Sequence, residues 1–154
     1  MLQFELTNMT AAQVEQPIKL GFSGTVDSRL DYVVDRAGES FAYAKVIKDD
    51  GVVMATKGTL PEAVAADLDA TATEVLSTSE TWISPDGFSI VYPVTSSKGA
   101  IRGVLIMVWD PSALQKDIAT ALLRDAGIAL GLMLAALILC FTILRRTFGR
   151  PINT

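Results

Sequence analysis

Residues 126–144 hold no charged side chain, and Arg145 and Arg146 follow at once. Nineteen uncharged, mostly apolar positions, at about 1.5 Å of helical rise each, make about 28 Å, close to the ~30 Å hydrocarbon core of a bilayer. A helix buried in a soluble core is expected to keep a polar stripe over that length. The stretch therefore predicts a transmembrane helix, and the rest of the chain has to be compatible with a membrane.

Charge sets the orientation. Arg145, Arg146 and Arg150 follow the span with no acid among them, whereas the other ten Lys/Arg and all seventeen Asp/Glu precede it. Basic flanks stay cytoplasmic, which puts residues 145–154 inside, residues 1–110 outside and residues 111–125 in a juxtamembrane helix. The span and its flanks imply membrane lipid as one partner. Excess acid before the span opposes nucleic-acid binding, which needs clustered Lys/Arg. The single cysteine, Cys140, lies inside the span, so the residues before it can form no disulfide and no thiolate metal site.

Histidine is absent, which removes imidazole metal sites and the usual base of nucleophilic catalysis. The carboxylate pairs Asp49/Asp50 and Asp67/Asp69 lie on a turn or at i,i+2 on a helix. Such neighbours do not face each other, so both pairs read as solvated surface. No phosphate-binding glycine loop occurs. These features argue against an enzyme, and no cofactor is expected.

The first residues, Met1-Leu2-Gln3-Phe4-Glu5, have neither the basic start nor the apolar run of a signal peptide. Yet the orientation requires the part before the span to cross the membrane. Met1 is therefore expected to be internal to a longer protein with an earlier membrane helix upstream. Pro151-Ile152-Asn153-Thr154 reads as the opening of a further element.

Before the span the hydrophobic period changes. Residues 1–38 are expected to be helical. Leu2, Leu6 and Met9 keep helical spacing up to Pro17 and Gly21, and Val26, Leu30, Val33 and Val34 mark a second helix closed by Gly38. Residues 41–110 hold the sheet and one more helix. Phe41, Tyr43 and Ile47 share a strand face, Asp49-Asp50-Gly51 turns the chain, and residues 52–56 return. Pro61 and Glu62 open a helix over 61–77 with an inward stripe of Val64, Leu68, Thr71/Ala72 and Val75. Strands over 80–84, 88–96 and 101–109 follow, and short turns make them antiparallel.

The last strand runs straight into a helix that Asp110 can cap and Pro111 can open. Juxtamembrane helix and span thus form one lever of roughly 50 Å, bounded by Asp110 and Pro111 at one end and Pro151 at the other. Tyr43 and Lys45 share a strand face. With Trp82, Tyr92 and Arg102 they could line an apolar pocket with a few polar handles, Arg102 pairing with a carboxylate. The same residues also suit core or rim aromatics with solvated cations. Trp109, at the end of the last strand, suits an interfacial or packing role. In the span, Gly127 and Gly131, extended by Ala135, put small residues on one face every four positions, where two helices can approach closely.

Several stretches carry a family likeness. Gln16-Pro17-Ile18-Lys19-Leu20-Gly21 is similar to the end of a long helix descending from a first membrane segment. Tyr43 through Ala55 looks like a first hairpin, and Tyr92-Pro93-Val94-Thr95 and Arg102 through Val108 look like closing strands. Arg146 through Asn153 is similar to the entry of a HAMP linker. In this order, the chain resembles the extracytoplasmic PAS-like sensors of bacterial transducers, the single Cache or CHASE-type domains. The resemblance implies an α+β fold, with a PAS-like antiparallel sheet flanked by helices and followed by a single transmembrane helix. It also implies a homodimeric receptor in the bacterial inner membrane that senses a small molecule or a periplasmic protein. The signal would pass through helix motion and a HAMP linker to a cytoplasmic kinase, cyclase or chemoreceptor output. A membrane-tethered interaction module without signalling is the alternative.

Overall fold

The change of hydrophobic period at Phe41 separates a helical pair from a sheet. The computed structural model describes the backbone of residues 2–148, and the side chains within that range except those at 2, 114, 117–122 and 144–148. Helices α1 (Leu2–Leu20) and α2 (Ser23–Ala37) come first, and a 3-10 turn over Gly38–Ser40 leads into β1 (Phe41–Lys48). Then follow β2 (Val53–Gly58), α3 (Glu62–Thr78), β3 (Trp82–Ile83), β4 (Ser89–Thr95), β5 (Ile101–Trp109) and α4 (Pro111–Phe148). The predicted linker residues Arg150 and Pro151 lie outside the described residues.

The strands form one antiparallel sheet in the order β2-β1-β5-β4-β3. The last strand is thus central, and Val104, Leu105, Ile106 and Met107 along it are fully buried. A strand covered on both faces needs a continuous apolar run rather than alternation, which this segment supplies. Helices α1 and α2 cover one face, packing Ala11, Val14, Ile18, Val26, Leu30 and Val33 against Ala44, Val46, Val94, Leu105, Met107 and Trp109. Helix α3 covers the other, where Leu68, Ala72 and Val75 meet Tyr43, Ile47, Val91, Val104, Ile106 and Val108.

Local details depart from the sequence reading. Pro17 lies inside α1 instead of ending it, and the chain leaves the helix at Gly21, whose φ is +72°. Met9 is exposed, and the inward stripe of α1 is Thr7, Thr10, Ala11, Val14 and Ile18. Thr7 and Thr10 are fully buried because their hydroxyls donate to the carbonyls of Gln3 (2.8 Å) and Leu6 (2.6 Å). Back-bonding of this kind lets a threonine present its methyl group to a core.

Phe41 does not share a face with Tyr43. The β1–β5 register passes from Phe41↔Trp109 to Tyr43↔Val108, leaving Ala42 unmatched. That bulge carries Phe41 to the α1–α2 side. Val64 is exposed, Pro61 is the N-cap of α3 rather than its first residue, and β3 is only two residues long.

The chain divides into two compact units, Met1–Ala113 and Leu114–Thr154. Within α4, Leu123–Ile143 is a window of 21 residues with mean hydropathy 2.5, long and apolar enough to cross a membrane. It begins earlier than residue 126 because it takes in Arg124 and Asp125, whose opposite charges meet at 3.8 Å.

Candidate functional site

Alternation along β1 turns Tyr43, Lys45 and Ile47 toward α3, and the pairing of Lys45 with Ile106 and Thr56 sets the lysine in mid-sheet. Its Nζ donates to both carboxylate oxygens of Asp69 on α3, each at 2.8 Å. The lysine side chain is 15% exposed and the aspartate 43%, so the pair forms at the rim of the α3 seat. Tyr43 is buried beside it, and burial raises its phenol above the ordinary value, with the Lys45 charge acting the other way. Trp82 packs at the same face and, with Thr71, Glu74, Thr78, Glu80 and Thr81, lines a small cleft of about 100 Å³ at the end of α3.

Tyr92 and Arg102 do not join this group. Tyr92 pairs with Leu105 and faces α1, where its hydroxyl donates to Asn8 Oδ1 (2.9 Å) and its ring meets Phe4 edge-on at 6.0 Å. Arg102 occupies a bulge, because Val94 pairs with Gly103 and Thr95 with Ile101. Its Nε lies 3.7 Å from Glu15 Oε1 on α1. The five candidates therefore split between the two faces of the sheet: Tyr43, Lys45 and Trp82 toward α3, Tyr92 and Arg102 toward α1.

Asp69, expected as solvated surface beside Asp67, is partly exposed but is tied to the sheet by its pair with Lys45. It directly follows Leu68 of the inward stripe, at the border of the buried face, where its carboxylate can reach a strand. Glu15 and Asn8 border the buried stripe of α1 in the same way. A polar or charged side chain flanking the buried stripe of a helix is the signal that would have found them.

Asp110 caps α4, its Oδ1 accepting from the Ser112 N–H (2.8 Å) and hydroxyl (2.6 Å), and Pro111 is the first helical residue. The joint is held to the sheet by Trp109 N–H to Phe88 O (2.8 Å) and to the 3-10 turn by Asp110 N–H to Ser40 O (2.9 Å). In α4, Gly127, Gly131 and Ala135 are exposed, and a Cβ at either glycine would meet no atom within 4 Å. Among the described residues no group of three or more His, Cys, Asp or Glu side chains could hold a metal ion. Compared with known proteins, the chain matches no family model and no curated protein.

Proposed function

We propose that the chain is the sensing and membrane-crossing segment of a bacterial receptor. In this reading a PAS-like domain outside the cytoplasm passes a binding event through α4 to a cytoplasmic output. The observation that carries the reading is that β5, the central strand, continues through one capped residue into the helix that bears the apolar window. In this reading a rearrangement of the sheet would be passed along α4. The five-stranded antiparallel sheet with helices on both faces supplies the α+β architecture that the reading needs.

A second relation supports it. Glu15 of α1 lies beside Arg102 at the start of β5, whereas Phe4 and Asn8 lie beside Tyr92, which pairs further along at Leu105. Helix α1 therefore runs antiparallel to β5, and its N-terminal end points to the end of the sheet where α4 begins. An upstream membrane helix would join the domain on the side from which α4 leaves. An input needs only to bind two helix arrangements unequally, by about 1–3 kcal/mol, to bias the output.

Reading the coding DNA on both sides tests this. An open frame past Thr154 into a kinase, cyclase or chemoreceptor-type domain, with an apolar span upstream, supports the receptor. A stop after Thr154 with a true start at Met1 overturns it. In a receptor, Ala121→Pro interrupts α4 and is expected to uncouple output from input while leaving ligand affinity intact; unchanged output rejects the lever.

Two observations favour a second reading, a sensor domain that has lost its ligand and only sets dimer geometry for the cytoplasmic part. Lys45 is already paired with Asp69, and the five candidate side chains do not converge. That reading expects a dimer that no small molecule stabilises against heat.

A further inference from the structure

Between Lys57 and Lys98 the chain has no basic residue, whereas residues 58–97 carry six carboxylates. That stretch builds α3, β3 and β4, so the flank of the domain made by these elements is acidic. Asp69 is answered by Lys45. Among the described residues no lysine or arginine answers Glu74 or Glu80. Both glutamates line the cleft of about 100 Å³ at the end of α3, and Trp82 lines it with them. Charge of one sign in a walled cleft concentrates ions of the other sign.

The rest of the lining also suits a cation that brings its own hydrogens. The Thr71 hydroxyl donates to the Asp67 carbonyl (2.9 Å) and the Thr78 hydroxyl to the Glu74 carbonyl (3.1 Å). With their protons committed, these hydroxyls act toward a ligand as acceptors. Trp82 is fixed by its pairing with Val91 and by packing against the core under α3. The face of an indole attracts a cation more strongly than any other side-chain ring.

Two carboxylates are too few for a divalent metal ion, which takes about six or more oxygens, and no larger acidic group occurs among the described residues. The cleft has room for a few waters, and hence for an ammonium group on a short alkyl chain. We infer that it is a binding site for a small primary amine in its ammonium form. The N–H groups donate to Glu74 and Glu80, and the charge lies against the Trp82 indole. The site belongs to α3 and β3 alone, so it stands or falls apart from the receptor reading.

The test is a titration with ethylammonium chloride of the full chain in nanodiscs of zwitterionic lipid, at constant ionic strength. The readouts are the ¹⁵N–¹H signal of the Trp82 indole, assigned through Trp82→Phe, and the amide signal of Thr81. A saturable shift in the millimolar range is expected, as suits carboxylates that water still reaches. Glu74→Gln and Glu80→Gln should each weaken binding about fivefold, the upper end for an exposed charge pair. Trp82→Leu, followed at Thr81, should weaken it about threefold. Tetramethylammonium, which has the charge but no N–H, should bind more weakly than ethylammonium. Both glutamates are exposed, and folding of the variants is checked by unchanged amide signals for β4 and β5. A shift that never saturates, equal binding of tetramethylammonium, or an unchanged affinity when both glutamates are replaced overturns the assignment.

Discussion

Lys45 Nζ lies 2.8 Å from both carboxylate oxygens of Asp69, an ion pair that ties α3 to the middle strands of the sheet. The two partners differ in what they lose when separated, because the lysine is the more buried of the two.

Asp69→Asn leaves a largely desolvated ammonium without its counter-charge and is expected to cost about 1 kcal/mol, between the values for surface and buried pairs. Lys45→Met leaves an aspartate that water can reach, and its apolar stem still covers the sheet, so it should cost less. Thermal unfolding of the two variants in detergent micelles decides the matter. An equal or larger loss for Lys45→Met would sink this account.

Acid should loosen the two turns. The Val52 N–H and then Lys48 hold Asp50 below its ordinary 3.8, and the Ser84 hydroxyl and then the Phe88 N–H do the same for Asp86. A lowered folded value means that the contribution is present above 3.8 and disappears as pH falls through the folded value. Asp50→Asn and Asp86→Asn are each expected to flatten the acid limb of a stability-against-pH curve, read by far-UV circular dichroism.

Alkali acts through other groups. Burial raises Tyr43 above 10.0, and Asp27 followed by Asp31 raises Lys57 above 10.5. For both, stability is complete below the unfolded value and is lost as pH climbs through the folded one. Lys57→Gln should move the midpoint of alkaline unfolding less when Asp27 and Asp31 are already replaced by Asn. Equal shifts in the two backgrounds would mean that the carboxylates are not the cause.

Gly103 is a position of close approach: a Cβ there would run into the Ile47 carbonyl oxygen of β1. Gly103→Ala must part β1 from β5 locally, with an expected loss of about 1–3 kcal/mol. Gly51→Ala meets no atom and suffers only from its φ of +84°, for about 1 kcal/mol. Denaturant midpoints of the two variants should rank in that order.

The small-residue face of α4 predicts a difference between neighbours. Gly131→Ile is expected to abolish span-driven association in a bilayer two-helix assay, whereas Leu132→Ile, on another face, leaves it unchanged. If both variants associate like the original span, dimerisation through Gly127, Gly131 and Ala135 is wrong.

Much of the fold could be read from residue order because its cues are local. Gly38, the Asp49-Asp50-Gly51 turn and the Asp110-Pro111 start of α4 each state a backbone preference within a few positions. What escaped reading was settled across the fold. Thr7 and Thr10 count as polar in any pattern, yet their hydroxyls turn back on the helix and they are buried. Phe41 and Arg102 stand at or beside bulges, and a bulge reverses which face a side chain takes without leaving a mark in the strand's own composition. The candidate site suffered most, since alternation within one strand relates Tyr43 to Lys45 but says nothing about Tyr92 on a strand two places away.

The central place of β5 also orders events in time. A ribosome delivers the β1–β2 hairpin, α3 and the β3–β4 hairpin before the strand that must lie between them, so two half-sheets wait with open edges. Pairing β1 with β5 closes a loop of more than fifty residues, the sort of long-range contact that slows folding and leaves strand edges open to wrong partners. The same strand leads directly into α4. Completing the sheet and releasing the long apolar helix therefore fall to successive stretches of chain, and a delay in one leaves apolar surface of both exposed together.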